Sequence, residues 1–421
     1  MSPAAWARPS VAAVGSGPSW DEWRVRLREE AAPRRTETRD ESWKYTRIQL
    51  FEWPGGATAS TRPVIRTAGR AFPSAARAWL ALSFRQAFAE VPERLVPFVG
   101  GQARPSERPL TAYNTQGFED GILIDVPDGA TVSEPIEINL RIRSPSDPAC
   151  PPGVRYLFPR VLIHLGKGAQ ARVIERHLWG SRCSLEPEQT PRFHPHRINA
   201  VTEIRIDRDA QLQHDLEQSG GGDTQAVGLT AVRLDRDSRY LGHSLATAGA
   251  LLRHEHQLLL AEPGSEARLE SLTLAGRDEH HDRQTRILHV SPNTTSHQCF
   301  YSIVAGQGMS IYGGQVVMKP HARGCTATQK NHHLLLDPSA QSRSRPSLEI
   351  AVDDVRCSHG STSGALDPES LFYLRSRGLD ETQARHLLIT SFAGGFLERL
   401  APAALRDSWQ REIARVLPHL G

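Results

Sequence analysis

The sequence predicts a mainly β chain with a parallel β-helix at its centre and α-helical domains at both ends. Three observations predict it. From about Ala112, short runs that alternate apolar and polar residues, such as Ile122-Leu-Ile124-Asp-Val126 and Glu203-Ile-Arg-Ile206, are separated by Gly, Asp and Pro, the pattern of strands and turns. On these runs lies a repeat in which an apolar strand end is followed by three turn-like residues and then a small residue. It pairs Val126 with Ala130, Leu165 with Ala169, Ile206 with Ala210, Leu234 with Ser238, Val290 with Thr294, Met318 with Ala322 and, with one insertion, Leu260 with Ser265. From position 210 the small residues stand at 210, 238, 265, 294 and 322, spaced by 28, 27, 29 and 28 residues. That period is too short for propeller blades of roughly 40 to 45 residues, and the leucine-rich consensus is missing, so stacked solenoid coils fit best. The third observation is helical periodicity in the first hundred and last 55 residues.

In chain order, Met1 to Pro18 is rich in Ala, Ser, Pro and Gly and lacks the basic-then-apolar order of a secretory signal, so it reads as a disordered leader. Ser19 and Glu22 form a capping box that opens a helix with Trp23 and Leu27 on one face. A second helix is predicted from Pro73 to Glu90, carrying Trp79, Leu80, Leu82, Phe84 and Phe88 and stopped by Pro92. The strand region follows. At Asp367-Pro368 a cap and first turn open another helix that Gly378 ends. A further helix starts at the Asp380 cap with Leu388, Phe392 and Phe396 at four-residue steps, and one after Pro402 aligns Leu405, Trp409, Ile413, Val416 and Leu420. The expected domains are 1–110 (helical, with the leader), 111–365 (β-helix) and 366–421 (helical), the apolar stripes of the last being buried against each other or against another protein.

Composition bounds the function. The 421 residues carry 50 basic and 47 acidic side chains, a net charge of +3 spread along the chain, which argues against a nucleic-acid or membrane-surface binder. Only four of the basic residues are lysines. The longest apolar stretches, Ala78 to Leu82 and Leu258 to Ala261, fall far short of the ~18 residues that span a bilayer. Five cysteines, Cys150, Cys183, Cys299, Cys325 and Cys357, are odd in number and scattered without a C-x-x-C pair, so a reducing cytoplasm is the expected location.

Several motifs bear on chemistry. Gly166-Lys167-Gly168 lacks the spacing of a phosphate-binding loop, and Gly242-His243-Ser244-Leu245-Ala246 resembles a nucleophile elbow only loosely, being inside a strand series. The histidine sets, His194 with His196, His254 with His256, His280 with His281 and His332 with His333, read best as solvated or hydrogen-bonded groups on a solenoid face. His254 and His256, two apart on one strand face, could bind a metal if a third ligand came from a neighbouring coil, which leaves a metal-dependent or polysaccharide-cleaving β-solenoid enzyme, hydrolase or lyase, as the rival reading. Asp278-Glu-His280-His281-Asp282 is dense in potential ligands, and a polar turn explains it equally well. The segment Leu348 to Gly364 is the most informative, because Glu349, Asp353, Asp354, Cys357 and His359 crowd its eleven central positions. Thiolate and imidazole suit iron and zinc, and at i and i+2 on an extended segment Cys357 and His359 point the same way, but two ligands do not close a four-coordinate site. Taken alone, a buried thiol beside a structural histidine is the better account of the pair.

Cys357-Ser-His-Gly, Leu371-Phe-Tyr-Leu-Arg-Ser-Arg-Gly378 and the Ala384-Arg385 helix resemble the C-terminal signature of the SufB/SufD family, the scaffold subunits of the SUF iron-sulfur cluster assembly machinery, and C-S-H-G is similar to its SufD branch. Trp43-Lys-Tyr-Thr46, Gln329-Lys-Asn331, Leu334-Leu-Leu336 and Ser347-Leu-Glu-Ile350 agree. The resemblance implies that the β-helix is right-handed and that the chain is a non-catalytic scaffold. It implies pairing with SufB through the β-helices and with the ATPase SufC through the C-terminal helices, where Leu371, Phe372, Tyr373, Arg375, Arg377, Gly378, Ala384 and Arg385 match. It implies a nascent iron-sulfur cluster, transient and shared with SufB, at His359 and Cys357, with none held tightly by this chain alone. No nucleic acid or membrane is expected, and a homodimer of the isolated chain is left open. Ser361 and Ser363 depart from the family's usual residues, and Cys299 and Cys325 have no counterpart in it.

Overall fold

The computed structural model describes residues 19–31, 79–106, 109–141, 155–179, 196–220 and 224–419. The leader, Trp43-Lys-Tyr-Thr46, Cys150, Cys183, His194 and Leu420 lie outside the described residues. The elements are α1 (Trp20–Glu30), β1 (Leu80–Ser83), α2 (Phe84–Glu90), α3 (Pro92–Leu95) and α4 (Pro109–Gly117). Then come β2 (Ile122–Val126), β3 (Ile136–Arg141), β4 (Arg155–Leu157), β5 (Arg160–Leu165), β6 (Gln170–Trp179), β7 (His196–Ile206), β8 (Gln211–Gly220), β9 (Gln225–Leu234) and β10 (Arg239–Thr247). They are followed by β11 (Leu251–Leu260), β12 (Glu266–Ala275), β13 (His280–His289), β14 (Thr295–Val304), β15 (Met309–Met318), β16 (Cys325–Leu335), β17 (Gln341–Ile350) and β18 (Val355–Gly364). The chain then forms α5 (Pro368–Ser376), α6 (Glu381–Leu397) and α7 (Ala403–Val416).

Two sheets form a β-solenoid. The first runs β1-β2-β5-β7-β9-β11-β13-β15-β17, with β4 also on β7, and the second runs β3-β6-β8-β10-β12-β14-β16-β18. From β5 to β18 successive long strands alternate between the sheets, so each coil adds one strand to both, and every pairing between named strands except β1 with β2 is parallel.

The corners explain the repeat. Gly129, Gly168, Asp209, Asp237, Gly264, Asn293 and Gly324 adopt φ between 54° and 75°, the left-handed region open to Gly, Asp and Asn, and each immediately precedes a small residue that enters the second sheet. From Ala169 onward those small residues are buried. In the second sheet Gln211, Arg239, Glu266, Thr295, Thr326 and Arg356 are successive register partners, spaced by 28, 27, 29, 31 and 30 residues. The sequence period therefore holds up to Thr294. Beyond it Cys325, not Ala322, takes the corner position: Ala322 keeps the turn bond to the Lys319 carbonyl (2.9 Å), but the strand opens three positions later, at Cys325.

The predicted helix over 73–90 is corrected in its described part. Leu80–Ser83 is a strand antiparallel to β2, helix α2 begins only at Phe84 behind the Ser83–Gln86 capping box, and Pro92 starts α3 rather than merely stopping a helix. Ser83 supplies an N-cap inside the apolar pattern, and caps override periodicity. Helices α1 to α3 bury Trp20, Trp23, Phe84 and Leu95 against Leu123 and Leu162 on the outer face of the first sheet. Helices α6 and α7 set Phe396, Leu405, Trp409 and Ile413 against Leu245, Leu272, Leu274 and Ile303 on the outer face of the second. Each such side chain contributes on the order of 1.5–3 kcal/mol of burial. Among the described residues no helix is long and apolar enough to cross a membrane.

Candidate functional site: the open end of the solenoid

Strands β17 and β18 are the last of their sheets, each paired on one side only, with β15 and β16 respectively. Alternation along β18 sets Val355, Cys357, His359, Ser361 and Ser363 on the face that looks into the solenoid: their register partners Ala327, Gln329 and Asn331 are buried, and Val355 and Cys357 pack against the core. His359, with no coil beyond it, is exposed, and Cys357 is partly buried. The two side chains stand on one face about 6.6 Å apart along the strand.

The floor beneath them is polar. Gln329, directly under His359 in the ladder, is buried with neither amide atom hydrogen-bonded among the described residues. Ser344 Oγ donates to Asn331 Oδ1 at 3.0 Å, and Ser342 Oγ and Ser363 Oγ bridge β17 to β18 at 2.8 Å. An apolar floor would drive this face to collapse, whereas hydroxyls and amides tolerate water and polar cargo. Partial burial and the neighbouring Cys325 push the Cys357 thiol upward, against a backbone bond from Ala327, so the thiol stays protonated until a cation arrives.

The other acids of the segment do not join the pair. Glu349 lies on the face of β17 opposite the inward Leu348, and Asp353 and Asp354 sit exposed in the connecting turn. Among the described residues no three His, Cys, Asp or Glu side chains converge as a metal-binding group. Cys325 is a corner residue whose thiol bonds Thr294 Oγ1 (3.0 Å) and the Ser291 carbonyl (3.3 Å). Cys299 lies on the outer face of the second sheet, in a pocket of about 130 Å³ lined by Arg268, Glu270, His297, Lys330 and Arg399, and burial raises its thiol.

The histidine pair of the rival reading is elsewhere. The rings of His254 and His256 lie 4.7 Å apart and tilted by 55° inside the solenoid, 1% and 4% exposed. His254 bonds Gln218 (3.2 Å) and Thr230 (2.9 Å), and burial drives both imidazoles down, His256 to about 3. They are neutral groups sealed from any polymer substrate. Ser244 is equally enclosed and bonds Ser271 at 2.8 Å. Of Asp278 to Asp282 only the start is a polar turn, where Asp278 has φ 61° and Glu279 accepts the N–H groups of Gly276 and Gly249, while His280, His281 and Asp282 open β13.

At the C-terminus, Asp367 caps α5 through the N–H groups of Glu369 and Ser370, and Gly378 ends it at φ 96°. Phe372 and Tyr373 are 75% and 56% exposed, and Arg377 lies over the Tyr373 ring at 5.1 Å. Arg375 and Gly378 are also exposed, while Leu371 is half-buried. Ala384 and Arg385 face the other way: Ala384 is buried and Arg385 donates to the Leu336 carbonyl at 3.2 Å, tying α6 to the solenoid. Leu387, 48% exposed, joins the apolar residues that α5 and α6 leave open. The sequence pattern did not single it out, because an exposed leucine in a helix has no local signature.

The comparisons with known proteins bear on this geometry. The SufBD core domain of the SUF system for FeS cluster assembly matches residues 150–392, more than half of the chain. The chain belongs to the SufBD family of iron-sulfur cluster assembly proteins. It is similar to a SufBD family protein of Synechocystis sp., with 30% identity over 315 residues, 75% of this chain and 67% of that protein. It is likewise similar to the iron-sulfur cluster assembly protein SufD of Escherichia coli strain K12, with 30% identity over 256 residues, 61% of this chain and 58% of that protein. A chloroplastic protein of Arabidopsis thaliana shares 26% over 329 residues, 78% of this chain and 66% of its own length. The SufBD core match spans both β18, with its Cys357-His359 pair, and α5.

Proposed function

We propose that this chain is a SufD-type, non-catalytic scaffold that pairs with SufB through the open end of its solenoid and with the ATPase SufC through α5 and the start of α6. In this reading it helps build and pass on nascent iron-sulfur clusters. One observation carries it: among the described residues the β-solenoid ends without a cap, presenting a thiol and an imidazole on the inner face of its last strand. Unpaired strand edges are normally blunted or covered, so an open one is a surface for another chain. Two donors complete a coordination sphere only when that chain adds its own. The nascent cluster is cargo in this scheme, held between two subunits and released when they separate. His359 offers an imidazole nitrogen, and Cys357 loses its proton as iron approaches, since a metal binds thiolate and not thiol.

Exposed Phe372, Tyr373 and Leu387, rimmed by Arg375 and Arg377, support the second docking site, because aromatic and arginine side chains dominate binding energy at interfaces. The burial of Ala384 and the bond from Arg385 give those two a supporting role, holding α6 in place. Nucleotide-driven closure of two SufC subunits would shift the heterodimer between two arrangements with different contacts at β18.

The test is His359→Ala co-expressed with the cognate SufB and SufC. All three subunits should still co-purify while the visible absorption of the cluster is lost. An unchanged cluster yield per complex refutes the role of His359.

A further inference from the structure

The inward column of the second sheet that ends at His359 passes through His214, Gly242, Leu269, Gln298 and Gln329 as successive register partners. Its buried polar members are satisfied unequally. His214 bonds Glu175 at 3.0 Å and Tyr240 at 3.1 Å, and Oε1 of Gln298 accepts from the Tyr312 hydroxyl at 3.4 Å. Gln329 is 1% exposed, and neither its amide oxygen nor its amide nitrogen has a hydrogen-bond partner among the described residues. Across the core its amide nitrogen lies over Gly314, where a built Cβ would stand 3.0 Å away, and the next residue of that column is Pro346, which has no N–H to give. A buried amide without partners costs free energy that an apolar side chain of similar shape would not. The chain thus carries an idle polar group directly beneath one of its two candidate ligands.

An imidazole ligates iron through a nitrogen lone pair, so its proton sits on the other nitrogen, and the acceptor that takes this N–H fixes the ring. In the free chain His359 is exposed and water fills that role. A chain laid along β18 would exclude the water. Of the two inward amides β16 places near the end, Asn331 already accepts at Oδ1 from Ser344 at 3.0 Å, whereas Oε1 of Gln329 is unused. The reach is one that this sheet makes elsewhere. Histidines bond their own register partner on the adjacent strand at 2.7 Å, His243 with Asp215, and at 2.8 Å, His297 with Thr328 and His332 with Thr362. Gln329 and His359 stand in that same relation.

We propose that Gln329 is a positioning residue for the nascent cluster: once a partner chain covers β18, its Oε1 accepts the N–H of His359 and holds the ring with its other nitrogen toward the iron. The inference rests on the scaffold reading and deepens it. The test compares Gln329→Met, which keeps the length and removes both polar atoms, with Gln329→Glu, which restores an acceptor. The isolated full chain carrying Gln329→Met should unfold at a denaturant midpoint equal to or above that of wild type, because it loses no bond. Co-expressed with the cognate SufB and SufC it should still co-purify with both, while the cluster absorption per complex falls about ten- to a hundredfold. Gln329→Glu should recover that absorption. A lower midpoint for Gln329→Met makes the amide structural and overturns the proposal. So does a wild-type cluster yield in Gln329→Met, or an intact Gln329→Glu complex as poor in cluster as the Met variant. If Gln329→Glu does not fold, the two readouts of Gln329→Met decide alone. Cluster lost in His359→Ala but kept in Gln329→Met defeats the Gln329 assignment by itself. Full yield in His359→Ala defeats the role of His359 and this proposal with it.

Discussion

His164 gives a stability prediction that can be worked through. On the outer face of β5 its Nδ1 meets Asp125 at 2.7 Å and its Nε2 meets Asp207 at 3.3 Å, while Phe98 stacks on the ring at 5.1 Å. Burial opposes protonation, but the two carboxylates outweigh it and raise the imidazole from 6.5 to about 9. A raised histidine stabilises the fold fully below its unfolded value, and the contribution disappears as pH rises through the folded one, so the window is pH 6.5 to about 9. At 1.36 kcal/mol per decade the ceiling is about 3 kcal/mol. The same contact holds Asp207 at about 2, and adding that shift would count one interaction twice. The perturbation is His164→Gln, which keeps a hydrogen-bonding side chain and removes the charge. Urea unfolding from pH 6 to 9.5 should show wild-type stability falling by about 2–3 kcal/mol more than that of the variant. Parallel pH profiles for the two proteins would refute the assignment of a charged His164 between Asp125 and Asp207.

Two further outcomes test the scaffold reading. Phe372→Asp, a change at a 75% exposed site, should leave the unfolding midpoint within ~0.5 kcal/mol of wild type and weaken SufC binding by ten- to a hundredfold, about 1.4 to 2.7 kcal/mol, measured by titration calorimetry. Unaltered affinity removes α5 from the interface. Among Cys299, Cys325 and Cys357, a maleimide reagent should label Cys357 first, and only above neutral pH because its thiol is raised, with the buried Cys299 and Cys325 modified on unfolding. Mass spectrometry of the labelled peptides checks the order, and saturating SufB should suppress the Cys357 adduct.

Much of the architecture was legible because it is governed by short-range rules. A corner needs a left-handed residue followed by a small buried one, so Asp209-Ala210, Asp237-Ser238 and Asn293-Thr294 recur at near-constant spacing, and the capping residues Ser19, Asp367 and Asp380 mark helix starts. What failed was where two rules compete. The apolar run around Leu80 to Phe88 satisfies helical spacing, yet pairing with β2 claims its first half and the Ser83 cap starts the helix late. Cys325 was missed as a corner because three inserted residues shift it from the 28-residue period. At the site, the shared face of Cys357 and His359 follows from alternation alone, but their exposure does not, since it depends on which strand is last in the stack. His254 and His256 show the reverse: the same i, i+2 spacing, with coils on both sides, yields a sealed and neutral pair.

The two ends of the solenoid are built differently, and the difference bears on how a second chain would add. At the first end the short β1 lies antiparallel on β2 as the edge strand of the first sheet, while α1 to α3 cover the outer face there. At the far end the two edges are unequal. Within β17, Pro346 pairs with Gly314 and has no N–H, so a strand laid along β17 would find its ladder interrupted, a device that discourages open-ended stacking. Strand β18 contains no proline, and a Cβ built on Gly360 or Gly364 would meet nothing within 4 Å. Ten residues of backbone are thus available on the strand that carries Cys357 and His359, beside an edge where extension is hindered. An arrangement of this kind favours one added chain at β18 over a growing filament, and under the proposed scaffold role it would bring that chain's side chains to the inner face that carries Cys357 and His359.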